Sequence, residues 1–221
     1  MARLWMMSLA RALIPGYGDP GLVYEQKLKQ GLSRARVWVD AGCGDNRDIL
    51  GEPDYEGLAL GFDLPVRSQA KYLSADISAV PFKDGSVDFI SCRWVFEHLK
   101  RPEEALAELE RILKPGGFLL IRTTNRLHYI ALLSRALPMG LKRWLTHSEV
   151  FPTFYRLNDR WAFRRVLQRH PCLVLEEAAC IENLHYGSAP GFVLSVLTEW
   201  LLNRLGLGWL KFSILIELFK A

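Results

Sequence analysis

An α/β fold is predicted by three observations. Short apolar runs alternate with segments of helical period, the pattern of a sheet covered by helices. The first of these runs ends at an acid and opens directly into a Gly-rich turn, Asp40-Ala41-Gly42-Cys43-Gly44. The next run also ends in an acid, Asp63.

In chain order, Val37-Trp38-Val39 reads as a buried strand, residues 58–62 as a second, residues 71–74 as a weaker third and residues 87–91 as a fourth. Pro102 opens a helix carrying Leu106, Leu109 and Leu113, and Lys114-Pro115-Gly116-Gly117 stops it. Phe118-Leu119-Leu120-Ile121 is apolar throughout, the signature of a fully buried fifth strand. Beyond Asn125 the rhythm changes. Residues 125–157 hold Pro138, Gly140 and Pro152 among scattered aromatics, too long a stretch for a plain loop. Asn158 or Asp159 can cap a helix running to Gln168. Residues 173–181 form a sixth strand, residues 192–205 an apolar helix broken by Gly206 and Gly208, and residues 212–216 a seventh strand. The N-terminus begins like a signal peptide, but Arg11 breaks the apolar run early and no small-residue cleavage site follows. It reads as a short amphipathic helix ending near Pro15-Gly16, placed to cover the site or lie on a membrane. The expected organisation is a single domain over 1–221, with a helical cap at 1–30, a core at 36–125 and insertions at 125–157 and 183–209.

Half of the 221 residues are hydrophobic (50%) and 24% are charged, a globular composition that excludes disordered and fibrous classes. The net charge of +4 is mild and partly local, because Arg156, Arg160, Arg164, Arg165 and Arg169 crowd one stretch. That run is a solvated helix face or, alternatively, a surface for anionic lipid or acidic glycan. Cys43, Cys92, Cys172 and Cys180 include no CxxC pair, so no metal is expected, and free thiols in a reducing, cytoplasmic setting are the simpler reading. No uncharged apolar stretch reaches membrane-spanning length.

A strand running through a Gly-rich turn into a helix brings backbone N–H groups near a ligand, and Gly42 and Gly44 leave room for it. Asp63 stands where an acid binds a ribose diol, since a carboxylate accepts two hydrogen bonds. Asp76-Ile77 follows the third strand, where the carboxylate suits an adenine amino group and Ile77 the ring face. A turn-forming aspartate is the plain alternative at both positions. A dinucleotide site would need a third glycine where this chain has Arg47, so a nicotinamide cofactor is disfavoured.

Five segments in order resemble the class I S-adenosylmethionine-dependent methyltransferase core, over residues 36–125. Residues 37–44 resemble its first motif, Gly61-Phe62-Asp63 its acidic second, and residues 76–88 its adenine loop and the approach to strand four. Residues 93–99 and Leu113-Lys114-Pro115-Gly116-Gly117 resemble its later landmarks. The resemblance implies a Rossmann-like, seven-stranded sheet with an antiparallel last strand and helices on both faces, binding S-adenosyl-L-methionine across the strand C-termini. It places Asp40, Ala41, Gly42, Cys43 and Gly44 at the methionine portion, Asp63 and Leu64 at the ribose, Asp76 and Ile77 at the adenine, and Arg93 and Trp94 on the pocket floor. Many members have glycine where this chain has Asn46, a residue that tolerates left-handed backbone. The Glu97-His98 pair is expected to be structural.

Methyl transfer from a sulfonium is a direct displacement, for which alignment matters most and a base serves only some acceptors. His128, beside Tyr129 and just past strand five, is the candidate base; His147 and His185 lie in the insertions. Both insertions are apolar and aromatic, with Leu127, Leu132, Leu133, Trp144, Phe151, Phe154, Tyr155, Phe192, Trp200 and Trp209. They read as extra helices over the core or as the mouth of a pocket for a small-molecule or lipid-linked acceptor, with peripheral membrane contact and no nucleic acid. Residues 151–158 are similar to bacterial methyltransferases of cell-surface polysaccharide and lipid pathways. The competing expectation is an inactive cofactor-binding relative acting as a partner protein or membrane-surface scaffold.

Overall fold

The computed structural model describes residues 2–14, 19–45, 47–64, 71–138, 151–181, 184 and 189–221. Its strands are β1 (Val37–Ala41), β2 (Leu58–Asp63), β3 (Tyr72–Ser74), β4 (Val87–Arg93), β5 (Leu113–Thr124), β6 (Leu173–Ile181) and β7 (Ser213–Lys220). The helices are α1 (Ala2–Leu13), α2 (Pro20–Leu32), α3 (Arg47–Leu50), α4 (Pro102–Ile112), α5 (Tyr129–Ala136), α6 (Arg160–Leu167) and α7 (Ala189–Arg204).

All seven strands form one sheet in the order β3-β2-β1-β4-β5-β7-β6. β1 to β5 run parallel, and β7 is inserted antiparallel between β5 and β6. Chain order reverses between β1 and β4, so the crevice at the carboxyl ends of these two strands is the topological switch point where such sheets bind ligands.

Alternation along each strand divides the core between two faces. Trp38, Phe89, Leu120 and Leu215 pack under Tyr24, Leu28 and Leu32 of α2. Their neighbours Val39, Ile90, Leu119, Ile121 and Ile216 pack on the other face against Leu106 and Leu109 of α4 and Phe163 and Val166 of α6. A third cluster joins Met6 and Ala10 of α1 to Phe192 and Val196 of α7.

β5 is longer than its apolar run. α4 stops at Ile112, but Leu113 already pairs with Val87, and an irregularity follows before Phe118 meets Phe89. The Lys114–Gly117 stop is therefore an irregular part of the strand, with Gly116 at φ +75°. At the other end β5 continues three residues past Ile121 and carries Arg122 into the sheet. Asn46, Trp144, His147, His185 and the Pro15-Gly16 stop lie outside the described residues.

Candidate functional site

The turn after β1 is left-handed at both glycines, with φ +72° at Gly42 and +54° at Gly44. A side chain at Gly42 is excluded twice over, because its Cβ would lie 2.2 Å from Val95 Cγ2. Over Gly44 there is nothing within 4 Å. The turn's own donors are already used. Gly42 N–H and Cys43 N–H both donate to Phe62 O, at 2.8 and 3.0 Å, and Gly44 N–H donates to Asp63 Oδ2 at 2.9 Å. The turn therefore offers clearance rather than free N–H groups, which corrects the expectation drawn from its glycines. Ala41 points into the core, so only its backbone faces the turn.

Asp63 also accepts from Leu64 N–H through Oδ1 at 2.7 Å, which aims the carboxylate along the turn with one lone pair left on each oxygen. Leu64 itself is exposed. Asp76 accepts at Oδ1 from Ser78 N–H (2.8 Å) and Ser78 Oγ–H (2.7 Å), and these bonds hold its pKa below the usual carboxylate value. It is an exposed turn residue with Oδ2 left for a ligand, while Ile77 is buried in the core.

A polar layer lies under α2 at the carboxyl ends of β1, β4 and β5. Trp38 Nε1–H donates to Ser91 Oγ at 2.9 Å, and Ser91 Oγ–H donates to Asp40 Oδ1 at 2.7 Å. Burial, and then the charge of Asp48, raise the Asp40 pKa to about 7. Arg93 pairs with Asp48 Oδ1 at 2.5 Å, and Tyr24 O–H donates to Asp48 Oδ2 at 3.1 Å. Burial and Asp48 together push the Tyr24 hydroxyl well above its ordinary pKa. Arg122 pairs in register with Arg93 on the next strand, and its guanidinium sits 4.7 Å from the Trp94 ring centroid and 6.0 Å from that of Tyr24. Trp94 makes this contact because its φ of +60° folds it back onto β5, where its N–H donates to Arg122 O at 2.8 Å. Arg93 and Trp94 thus both reach the site, but Arg93 acts through Asp48. Sequence reasoning missed Tyr24, Asp48, Ser91 and Arg122; the one legible signal was a charge directly after the apolar run of β5.

An aromatic wall extends from Trp94 to Phe212 (6.0 Å between centroids), on to His128 (5.2 Å) and then Tyr129 (4.3 Å). His128 is the N-cap of α5, its Nδ1 accepting from Ile130 N–H at 3.3 Å, and burial lowers its pKa to about 4. With Nδ1 accepting, the neutral ring carries its hydrogen on Nε2. The geometry thus gives His128 a capping and packing task. Glu97 ties the 3₁₀ turn after β4 to β5, accepting from Thr123 Oγ1 at 2.7 Å and Thr124 Oγ1 at 3.0 Å. His98 Nδ1–H donates to Pro152 O at 2.8 Å. Both residues of the pair make structural contacts.

The family model for a methyltransferase domain matches residues 52–121. The demethylmenaquinone methyltransferase of Renibacterium salmoninarum is 30% identical over 114 residues, covering 45% of this chain and 48% of that protein. Its Thermus thermophilus counterpart is 30% identical over 139 residues, covering 55% and 61%. The chain thus spans about half the length of these curated relatives. Among solved structures, an S-adenosylmethionine-dependent methyltransferase from Archaeoglobus fulgidus shares the fold, with a TM-score of 0.57 at 16% identity over 92% of this chain and 95% of that one.

Residues 52–121 thus resemble a methyltransferase domain, within a fold shared with an S-adenosylmethionine-dependent methyltransferase.

The matched residues run from just before β2 to Ile121 of β5, so they include Asp63, Asp76 and Arg93. S-adenosylmethionine is the cofactor of the family. The residues present fit it: the open space over Gly44 admits an atom packed on the backbone, Asp63 keeps lone pairs for a diol, and the buried Asp40 suits a cationic amino group.

Proposed function

We propose that the domain transfers the methyl group of S-adenosylmethionine to a small, largely apolar acceptor presented at a membrane surface. The open backbone over Gly44, beside the carboxylate of Asp63 at the sheet's switch point, carries the first half of this reading. When bound, the cofactor supplies a methyl group on a sulfonium sulfur, which an acceptor atom displaces directly. The chain's own residues then have distinct tasks. Asp63 accepts from the ribose hydroxyls, Asp76 Oδ2 from the adenine amino group, and Asp40 receives the amino end. Ala41, Gly42 and Cys43 shape the turn, while Trp94, Phe212 and Tyr129 exclude water from the acceptor side. No base is required at His128, whose Nδ1 is occupied by the α5 cap.

The test is calorimetric titration with S-adenosylhomocysteine, followed by radiolabelled methyl transfer into lipid and glycan extracts. Asp63→Ala is expected to weaken binding about tenfold or more, as expected when ribose hydroxyls lose a charged acceptor, with an unchanged far-ultraviolet spectrum. Unaltered affinity would place the ribose elsewhere. Binding without any transfer would make the chain an inactive relative.

The acceptor half of the reading rests on α7. Its buried side meets α1 through Phe192 and Val196, yet Val193, Leu194, Leu197, Trp200 and Leu201 are exposed on the other side, Leu197 by 57%. Arg204 lies 5.6 Å from the Trp200 ring, a pairing of tryptophan and cation suited to a lipid interface. No helix among the described residues is long and apolar enough to cross a membrane, so the contact would be peripheral. The demethylmenaquinone relatives favour an apolar acceptor of this kind. The full chain is expected to float with anionic liposomes, and Leu194→Glu/Leu197→Glu to remain in the soluble fraction without a lower melting temperature. Equal flotation of both proteins would remove α7 as the contact.

A further inference from the structure

Arg122 is 4% exposed, its Nε is sealed from solvent without an acceptor, and no described residue forms an ion pair or hydrogen bond with its guanidinium. A buried guanidinium without a counter-charge is strongly disfavoured, so such a group persists only where something requires it. Folding does not supply that requirement here. The neighbouring acid, Asp48, is already shared between Arg93 and the Tyr24 hydroxyl. Arg93 stands in register on the adjacent strand and repels Arg122, adding to the cost. The faces of Trp94 and Tyr24 hold the guanidinium in place without giving its N–H groups an acceptor.

Position indicates what does. The ribose acid Asp63 ends β2 and the Gly-rich turn follows β1, while Arg122 is on β5, two strands beyond β1 in the sheet order. Neighbouring strands are about 4.8 Å apart, so roughly 10 Å separates Arg122 from β1 across the sheet. There it abuts the aromatic wall through Trp94, on the side opposite the ribose. An arginine fork matches the paired oxygens of a carboxylate or phosphate.

We infer that Arg122 anchors an anionic group of the methyl acceptor, a carboxylate or phosphate. This inference rests on the methyltransferase reading and refines it. The acceptor is an amphiphile whose apolar part lies along the aromatic wall and whose oxyanion is held beneath Trp94.

The experiment uses the full chain, wild type and Arg122→Gln, titrated first with S-adenosylhomocysteine and then, when saturated, with inorganic phosphate and with malonate. The loaded wild type is expected to bind at least one of these anions, and Arg122→Gln to bind it about tenfold or more weakly, the scale of loss for a truncated buried charge pair. The affinity for S-adenosylhomocysteine should be unchanged in the variant. Without ligand, Arg122→Gln should melt no lower than wild type, because an unpaired buried charge has been removed; Arg122→Met provides the same reading if the glutamine variant does not fold. Anion binding that survives the substitution, or is absent from the loaded wild type, overturns the inference. So does a lower melting temperature in both variants, which would make Arg122 a structural residue. If Arg122→Gln weakens S-adenosylhomocysteine but not its decarboxylated analogue, the anion is the cofactor's own carboxylate and the inference also fails. Absence of S-adenosylhomocysteine binding to the wild type would instead sink the underlying methyltransferase reading.

Discussion

At the scale of single residues, the site depends on charges held where water cannot reach them. Asp40 is visible in the sequence as the acid before the Gly-rich turn, but its environment is not: Ser91, Asp48 and the α2 cover come from other parts of the chain. With a folded pKa of about 7, Asp40 is protonated below that pH and charged above it. Because the ordinary value is lower, the folded chain holds a proton that the unfolded chain has lost, and unliganded stability falls as pH rises through this interval. A bound ammonium group favours the carboxylate, so the sign is reversed for the ligand. Affinity for S-adenosylhomocysteine should rise from about pH 6 to about pH 8 and then level off. Calorimetry across that range checks it, and Asp40→Asn should bind more weakly with no such slope. Tyr24 and Arg122 belong to the same layer, and neither could have been placed there from its neighbours in sequence.

At the scale of elements, local chemistry set most boundaries. Asp159 is the N-cap of α6, Oδ1 accepting from Ala162 N–H at 2.7 Å, and the helix ends one residue before the expected Gln168. Its exposed face carries Arg164 and Arg165. Asp159 also pairs with Arg126 at 2.5 Å, linking α6 to the segment after β5. Asp159→Ala should lose both, the cap alone contributing about 1 kcal/mol, whereas Asp159→Asn keeps an oxygen for the cap and loses the charge pair. Thermal melts should rank wild type above Asp159→Asn and Asp159→Ala lowest; an equal loss in the two variants would show that the cap contributes nothing. β5 was misread at both ends for one reason. A Pro-Gly-Gly stretch resembles a break, and arginine resembles a surface residue, until pairing with β4 on one side shows where the strand continues.

At the scale of the whole molecule, the seven strands form one sheet whose switch point lies between β1 and β4. Ligand that binds only the folded chain stabilises it by about 2.7 kcal/mol at a hundredfold excess over Kd. For a chain of this size each kcal/mol moves the melting midpoint by roughly 2–4 °C. S-adenosylhomocysteine at that excess should therefore raise the midpoint by roughly 5–10 °C, read by differential scanning calorimetry. A midpoint that ignores the ligand would separate this chain from the methyltransferases it resembles. The +4 net charge and the exposed apolar side of α7 act at this scale too, since both bear on what surface the molecule meets.

The sequence by itself determined the α/β class, the Gly-rich turn, the acids at the ends of β1 and β2, and the family that its core resembles. These are local signals: a period, a turn, an acid one step past a strand. Only the tertiary structure decided what those groups face. It showed the turn's N–H groups to be already bonded to Phe62 and Asp63, His128 to be a helix cap, and Arg122 to be buried with no ion-pair or hydrogen-bond partner for its guanidinium among the described residues. The physical reason is that hydrogen-bond satisfaction and burial depend on contacts between segments far apart in the chain, here α2, β4 and β5, which no local pattern encodes.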